Sequence, residues 1–200
     1  MSYRIVIAED EFILANNLKS LVESLNHTVV GIAETGAQAI SLAEQHHPDL
    51  ILMDIKLPEV DGITAARSIA QQYHIPTVII SAFSDRSYIE EAAEAGVMTY
   101  LVKPVSLGDL QAVIDLTMAR YRELMALRQE VGDLKNALSQ RKIVERAKGI
   151  MMDSLHLSEG EAFRRLQQLS QRENRPMIDI AQAVITANTL WKDTGDHLTK

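Results

Sequence analysis

The sequence predicts an α/β fold for the first part of the chain, with a doubly wound parallel sheet of five strands. Apolar runs at residues 5–8, 28–33, 50–53, 78–80 and 100–102 show no polar alternation, which is typical of strands buried on both faces. Segments with helical spacing separate these runs, and short turns containing Gly or Pro close the units. This alternation predicts five βα units.

The helices between the strands are predicted from apolar residues that recur every three or four positions. The first three segments are Leu14, Leu18, Leu21, Val22 and Leu25, then Ala39, Ile40, Leu42 and Ala43, then Ala65, Ala66, Ile69 and Ala70. With these helices the sheet is covered on both sides.

Reactive polar side chains follow four of the five strands. Glu9 and Asp10 follow the first, Asp54 the third, and Ser81 and Lys103 the last two. The carboxyl ends of parallel strands meet at one edge, where ligands bind. Clustered carboxylates repel one another unless a cation lies among them, and oxygen ligands favour Mg²⁺. Lys103 is then available for an anion on Asp54.

This set of residues predicts a phosphoryl-transfer site. Such chemistry requires an in-line nucleophile and positive charge on the equatorial oxygens. Asp54 would be the nucleophile, and Mg²⁺ and Lys103 would supply the charge. Movement of Ser81 toward the acyl phosphate would leave a space for Tyr100, which would repack the surface.

Each of these residues also has a simpler structural interpretation. Asp10 is suited to cap the helix that starts near Glu11, Asp54 and Ser81 are suited to end strands, and Lys103 is suited to a solvated loop. To explain the whole set without a phosphoryl site, all four of these simpler interpretations would have to hold at once. For Lys56 the sequence leaves open a surface position or an influence on the lifetime of the phosphate.

Residues 1–119 resemble the receiver domain of two-component response regulators, a flavodoxin-like fold. The resemblance rests on Glu9-Asp10-Glu11, Asp54 with Pro58 and Asp61-Gly62, Ser81-Ala82, Tyr100 and Lys103-Pro104. It implies that a sensor histidine kinase phosphorylates Asp54. It also implies that Glu9, Asp10, Asp54 and the backbone carbonyl of Lys56 hold Mg²⁺, that Ser81 and Lys103 contact the phosphoryl group, and that Tyr100 is the switch residue.

Composition indicates a cytoplasmic protein of one or two domains. The 200 residues include no cysteine, which excludes disulfides and thiolate metal sites. We expect neither a signal peptide nor a membrane span. Residues 1–119 carry 6 Lys and Arg against 16 Asp and Glu, a net charge of −10, whereas residues 120–200 carry 14 against 11, a net charge of +3. The basic second part suggests an anionic partner.

A long helix is predicted after the fifth strand, because no proline occurs between Pro104 and Pro176. Heptad spacing predicts a rod of about 35 residues that pairs with a second copy. Thr117 and Arg120 interrupt the register, Gly132 weakens the helix, and packing against the same domain is the alternative. The a and d positions are Leu124, Leu127, Val131, Leu134 and Leu138.

A three-helix bundle is predicted after Ser139. Cations flank the apolar side of its first helix, and Ser158 with Glu161 forms a capping box that opens the second. Arg175-Pro176 ends the second helix, and residues 179–188 form the third. Phe163 is expected in the core, and Trp191 is expected over the end of the bundle.

Residues 137–189 resemble the ANTAR domain, the RNA-binding module of transcription antitermination regulators. The resemblance rests on Ala137-Leu138, Arg141, Ile143, Ala147 to Met152, Leu157-Ser158-Glu159, Glu161-Ala162-Phe163, Leu166 and Ile180-Ala181. It implies binding of tandem RNA hairpins in leader transcripts. The candidate RNA contacts are Arg141, Lys142, Arg146, Lys148, Arg164 and Arg165.

The sequence therefore predicts a receiver domain (1–119), a coiled-coil linker (120–138), an ANTAR domain (139–190) and a C-terminal tail (191–200). Phosphorylation would promote homodimerisation and RNA binding. A DNA-binding regulator is one alternative, although residues 179–188 contain no Arg or Lys, and a protein-interaction module is the other. No enzymatic output is expected.

Overall fold

The computed structural model describes residues 2–82 and 86–195, apart from the side chains of residues 86, 87 and 191–195. It divides into two compact units, residues 1–126 and residues 127–200.

The first unit is a five-stranded parallel sheet with helices on both faces. The strands are β1 (Arg4–Ala8), β2 (Thr28–Ala33), β3 (Leu50–Met53), β4 (Thr77–Ser81) and β5 (Thr99–Val102), in the order β2-β1-β3-β4-β5. All pairs are parallel. The predicted fold class is confirmed.

The helices that alternate with these strands are α1 (Phe12–Ser24), α2 (Gly36–His46), α3 (Gly62–Gln72) and α4 (Arg86–Glu94). Glu11, and not Asp10, is the N-cap residue of α1, and its side chain makes no cap hydrogen bond. Asp10 therefore does not have the capping role that was its simpler interpretation.

Alternating side chains of each central strand enter two separate cores, because successive residues of a strand point to opposite faces. Val6, Ile51 and Ile79 face a core that includes residues of α2, α3 and α4. Ile7, Leu52 and Ile80 face a core that includes residues of α1 and the helix after β5. The predicted burial on both faces holds for β1, β3 and β4, whereas the edge strands β2 and β5 are partly exposed.

The helix after β5, α5, spans Leu107–Leu155 without interruption. Its 49 residues exceed the predicted rod of about 35, because the helix continues past Ser139 into the segment that was expected to form the first helix of the bundle. The chain between these positions has no proline or capping sequence to end it.

The second unit contains the C-terminal part of α5, with α6 (Glu159–Glu173) and α7 (Met177–Gly195). Ala147, Met151, Leu166, Ala181 and Ile185 are among the residues of its core. The predicted capping box is present, and Asn174, in a left-handed conformation, ends α6. Both α6 and its cap thus follow local sequence signals.

Phe163 is an exception to the predicted core. Its side chain is 42% exposed, while Ala162 and Leu166 are fully buried. One residue corresponds to about 100° around a helix, so Phe163 lies beside the buried stripe. The predicted position of the Trp191 side chain lies outside the described residues.

Candidate functional site

The sheet order brings the predicted site residues to one edge, because β1, β3, β4 and β5 are neighbours. Backbone hydrogen bonds fix their registers: Asp54 N–H donates to Ala8 O at 2.9 Å, and Lys103 N–H donates to Ser81 O at 2.9 Å. The carboxyl ends of all four strands therefore meet outside the sheet, where strand order reverses between β1 and β3.

The Lys103 ammonium lies between two carboxylates at this edge. Its Nζ is 2.5 Å from Asp54 Oδ2 and 2.7 Å from Glu9 Oε2. Glu9 is 1% exposed and Asp54 is 9% exposed. A cation among the carboxylates was expected from the sequence, and in this structure it is the side chain that was expected to bind the phosphoryl group.

Burial and charge oppose each other in this cluster. Desolvation raises the pKa of Glu9, although the hydrogen bond and charge of Lys103 act to lower it. Burial would lower the pKa of Lys103, but the hydrogen bonds that its ammonium donates to Asp54 and Glu9, with the charges of these carboxylates, outweigh burial and raise that pKa. The lysine therefore stays charged, and the cost of the buried negative charge falls on Glu9.

The expected magnesium ligands differ in how well their positions suit a cation. Glu9 Oε1 is buried and has no hydrogen-bond partner within residues 2–82 and 86–195, which leaves an oxygen for a cation. Asp10 is exposed. No three acidic, His or Cys side chains in the described parts of the chain are grouped so that they could hold a metal. Lys103 is paired with two of the three expected carboxylates, Glu9 and Asp54, in this structure.

The loop after β3 is held close to Asp54. Lys56 N–H donates to Asp54 Oδ1 at 3.2 Å, and Asp61 caps α3 by accepting from Thr64 N–H at 2.9 Å. A Cβ at Gly62 would lie 1.9 Å from Asp54 O. Glycine is therefore required here so that the start of α3 can approach the backbone of Asp54.

Ser81 and Tyr100 lie on adjacent strands. Ser81 is fully buried at the end of β4, and Tyr100 is half-buried and packs against the core on the α2, α3 and α4 face. The register pairs Ile79 with Tyr100 and Ser81 with Val102. The two predicted switch residues are thus at the end of one strand and in the middle of the next.

A contact between β5 and α5 was missed by the sequence analysis. The hydroxyls of Thr99 and Thr117 hydrogen-bond at 2.7 Å, and Thr117 is fully buried. Thr117 was noted only as an interruption of the heptad register. A polar residue on an otherwise apolar helix face was the available signal, since buried hydroxyls need partners.

The predicted RNA-contact residues fall into two groups. Five are exposed, and Lys148 is 7% exposed. Its Nζ is 2.8 Å from Glu145 and 2.7 Å from Glu159, and hydrogen bonds to these carboxylates raise its pKa. Lys148 therefore joins α5 to the start of α6. The exposed residues are Arg141, Lys142, Arg146, Arg164 and Arg165.

The predicted a and d positions form an apolar stripe on α5, which we call the α5 stripe. Its members are between 36% and 59% exposed. They pack into none of the three hydrophobic cores of the described residues. The stripe comprises Leu124, Leu127, Val131, Leu134 and Leu138.

Comparison with known families identifies both parts of the chain. The response regulator receiver domain matches residues 5–115, and the ANTAR domain matches residues 132–185. The chain belongs to the response regulator family, with a receiver domain and an ANTAR domain. This is a family of regulatory proteins and not a class of enzymes.

One relative of this response regulator matches nearly all of the chain. The transcriptional regulatory protein PdtaR of Mycobacterium tuberculosis is 41% identical over 191 residues, which covers 96% of this chain and 93% of PdtaR.

No helix in the described residues is long and apolar enough to span a membrane.

Two solved structures resemble the receiver domain. The BeF3-activated receiver domain of Klebsiella pneumoniae RstA has a TM-score of 0.55 and 26% identity, and covers 57% of this chain and 97% of that structure. The receiver domain of sensor histidine kinase PA1611 from Pseudomonas aeruginosa has magnesium in its active-site cleft. It has a TM-score of 0.55 and 29% identity, and the match covers 60% of this chain and 99% of that structure.

Proposed function

We propose that this response regulator is an RNA-binding antiterminator controlled by phosphorylation of Asp54. A sensor histidine kinase is the donor, and tandem hairpins in leader transcripts are the target. The observation that carries the proposal is the pairing of buried Asp54 with Lys103, in a chain that also has an ANTAR domain in which five of the six candidate RNA contacts are exposed.

Asp54 acts as the nucleophile toward the phosphoryl group. Its Oδ1 is held by Lys56 N–H, and its Oδ2 contacts Lys103, so the carboxylate is fixed before the donor arrives. Lys103 then contacts the phosphoryl oxygens and offsets their charge. Ser81 donates a hydrogen bond to the same group.

Mg²⁺ would be held by Glu9, Asp10, Asp54 and the backbone carbonyl of Lys56, and would neutralise charge that develops on the transferred phosphoryl group. The unpartnered Glu9 Oε1 supports this assignment, as does the magnesium in the cleft of the related PA1611 receiver domain.

The signal passes from Ser81 to Tyr100 and from β5 to α5. Tyr100 follows Thr99 in β5, and Thr99 is bonded to Thr117 of α5. A shift of Tyr100 into the space behind Ser81 changes β5, and the hydroxyl pair transmits this change to the helix that carries the α5 stripe.

Dimerisation through the α5 stripe presents two ANTAR domains together. Exposed leucine and valine at a and d positions are suited to a parallel two-stranded coiled coil. Two linked binding sites gain affinity for tandem hairpins through effective concentration.

The RNA surface consists of Arg141, Lys142, Arg146, Arg164 and Arg165. Lys148 is assigned a structural role, since two carboxylates already neutralise it. A DNA-reading mode is disfavoured, because α7 has no Arg or Lys from Met177 to Leu190 and is a poor recognition helix.

A salt titration tests the target and the assignment of the cations. We expect tight, steeply salt-dependent binding of hairpin RNA recovered by crosslinking to cellular transcripts, and weaker binding of duplex DNA. Arg146→Gln should reduce the log-log slope by about 1, while Lys148→Met should leave it unchanged. Preferred binding of duplex DNA would support the DNA alternative, and no binding of either would support a protein-interaction module.

A further inference from the structure

A groove in the ANTAR domain shares one residue, Arg165, with the RNA surface proposed above, and its other lining residues take no part in that function. It has a volume of about 360 Å³ and lies between the C-terminal part of α5, α6 and α7. Most of its wall is aliphatic, and includes Ile150, Leu155, Leu169 and Val184. This volume lies within the range of small-molecule sites, which combine apolar walls with a few polar groups.

Three polar side chains line the same groove: Ser154 of α5, Arg165 of α6 and Asn188 of α7. Each of the three helices thus contributes one. Among the side chains that the structure describes, none of these three has a hydrogen bond or ion pair. Arg165 differs in this respect from Lys148, which two carboxylates neutralise in the same domain. The groove therefore combines a mostly aliphatic wall with one cation, Arg165, that has no ion pair among the described side chains.

We propose that this groove binds a small amphipathic anion, an aliphatic chain that ends in a carboxylate. The chain would lie along Ile150, Leu169 and Val184, and the carboxylate would accept hydrogen bonds from the Arg165 guanidinium in the two-pronged geometry that arginine favours. Asn188 and Ser154 provide further donors.

The composition of the wall favours this ligand over a nucleotide. A nucleobase carries several donors and acceptors on its edges, and proteins commonly bind it by stacking on aromatic or guanidinium planes. The groove has one guanidinium, Arg165, but no aromatic residue among its described lining. Six of its nine lining residues are apolar, so most groups on the edge of a base would lack partners. Unpaired buried polar groups disfavour binding.

Binding would act on the bundle as a whole, because the lining comes from all three helices. A ligand that binds only the folded state stabilises it by mass action. The groove thus offers a route by which a metabolite adjusts the stability of the output domain, independently of Asp54.

The test uses the full chain without RNA, so that its result does not depend on the proposed RNA function. Isothermal titration compares hexanoate, octanoate and decanoate, each below its micelle concentration, with 1-octanol as the neutral analogue. Methyl-labelled protein locates the ligand by shifts of Ile150, Leu169 and Val184. We expect affinity to rise by up to about fourfold for each added methylene and to be weaker for 1-octanol.

Two pairs of variants separate the groove from non-specific binding. Arg165→Gln should weaken octanoate binding about tenfold without affecting 1-octanol, while Arg164→Gln should change neither; Arg164 bonds to Gly160 O of its own helix and does not line the groove. Ala187→Leu should block binding by filling the groove, whereas Ala183→Leu, one turn earlier on α7 and outside the groove, should not.

Several outcomes would overturn the proposal. Equal effects of Arg165→Gln and Arg164→Gln would show that only net charge matters. Methyl shifts confined to the receiver domain would place the ligand elsewhere. Shifts of the groove methyls by AMP, with none by octanoate, would show that the groove takes a nucleotide.

Discussion

Lys103 holds together two buried carboxylates that would otherwise repel each other. With Nζ 2.7 Å from Glu9 and 2.5 Å from Asp54, its ammonium occupies the place where positive charge is needed before phosphorylation. Breaking such a pair leaves an uncompensated buried charge, which is strongly unfavourable. In the proposed mechanism Lys103 then contacts the phosphoryl group, so it neutralises negative charge both before and after Asp54 is phosphorylated.

Asp54→Asn should abolish phosphorylation, since the amide lacks the anionic oxygen that attacks phosphorus. The measurement is intact mass after incubation with acetyl phosphate and Mg²⁺. Asp61→Asn is a matched control, because Asp61 caps α3 and asparagine caps helices equally well; it should be labelled like the wild type. Labelling of Asp54→Asn would refute the assignment of the acceptor.

Glu9→Gln should alter the dependence of stability on pH. Burial raises the pKa of Glu9 above its ordinary 4.5, so between that value and the folded pKa the folded state binds more protons than the unfolded state. The contribution of Glu9 to the unfolding free energy therefore falls as pH rises through this window. The Lys103 pKa is raised from 10.5, so its contribution stays constant there.

Urea unfolding from pH 4.5 upward would check this sign. The unfolding free energy of Glu9→Gln minus that of the wild type should increase as pH rises, and then level off above the folded pKa. A constant difference, or one that decreases, would show that Glu9 does not carry the cost of buried charge.

Strand composition allowed the site residues at the sheet edge to be predicted, because a residue that follows a buried run must lie at the carboxyl end of a strand. The direct pairing of Lys103 with Glu9 and Asp54 was not predictable in the same way. Periodicity gives the end of a strand at which a side chain lies, but not its rotamer or its partner. The buried oxygen of Glu9 likewise depends on packing between elements.

At the level of elements, α5 connects the sheet to the output domain, and Thr117 is its polar contact with β5. Thr117 is fully buried in a face whose other members include Leu110, Ile114 and Met118. In the sequence, Thr117 is visible only as a break in the heptad pattern. The pattern changes there because this part of α5 packs on the sheet, whereas the α5 stripe begins only at Leu124.

Thr117→Val should lower the unfolding free energy of the receiver domain by about 1 kcal/mol, since it removes one hydrogen bond while keeping the shape of the side chain. Thr117→Ser retains the hydroxyl and should conserve the bond with Thr99. All five tyrosines lie within residues 1–126 and the tryptophan lies at 191, so tyrosine fluorescence during urea unfolding reports this domain. An unchanged midpoint for Thr117→Val would show that the bond contributes no net stability.

Local signals predicted the bundle better than they predicted its surface. The capping box of α6 was predicted from Ser158 and Glu161, and the structure contains it. Phe163 was predicted in the core but is 42% exposed, and Lys148 was predicted at the surface but is buried. Their exposure depends on how α6 meets α5, and a helical period alone gives a residue's angle but not the width of the contact.

For the whole molecule, we predict that the exposed α5 stripe is the surface through which two chains pair. Replacing Leu127 and Leu134 together by Gln should raise the dimer dissociation constant more than a hundredfold, because two leucines in each chain would lose burial worth about 1.5 to 3 kcal/mol apiece. Sedimentation velocity with beryllofluoride and Mg²⁺ measures this. Leu190→Gln changes an exposed leucine of α7 and should leave dimerisation intact.

If the double variant dimerises like the wild type, another surface forms the dimer and the α5 stripe is not its interface. A wild-type chain that stays monomeric with beryllofluoride would also contradict the proposed dimer.

The most direct test of the switch is the affinity of the full chain for a tandem-hairpin RNA, measured with and without beryllofluoride in the presence of Mg²⁺. We expect binding at least tenfold tighter with the phosphoryl mimic, a smaller gain with a single hairpin, and no response from Asp54→Asn. The same affinity in both conditions would contradict the claim that Asp54 controls RNA binding.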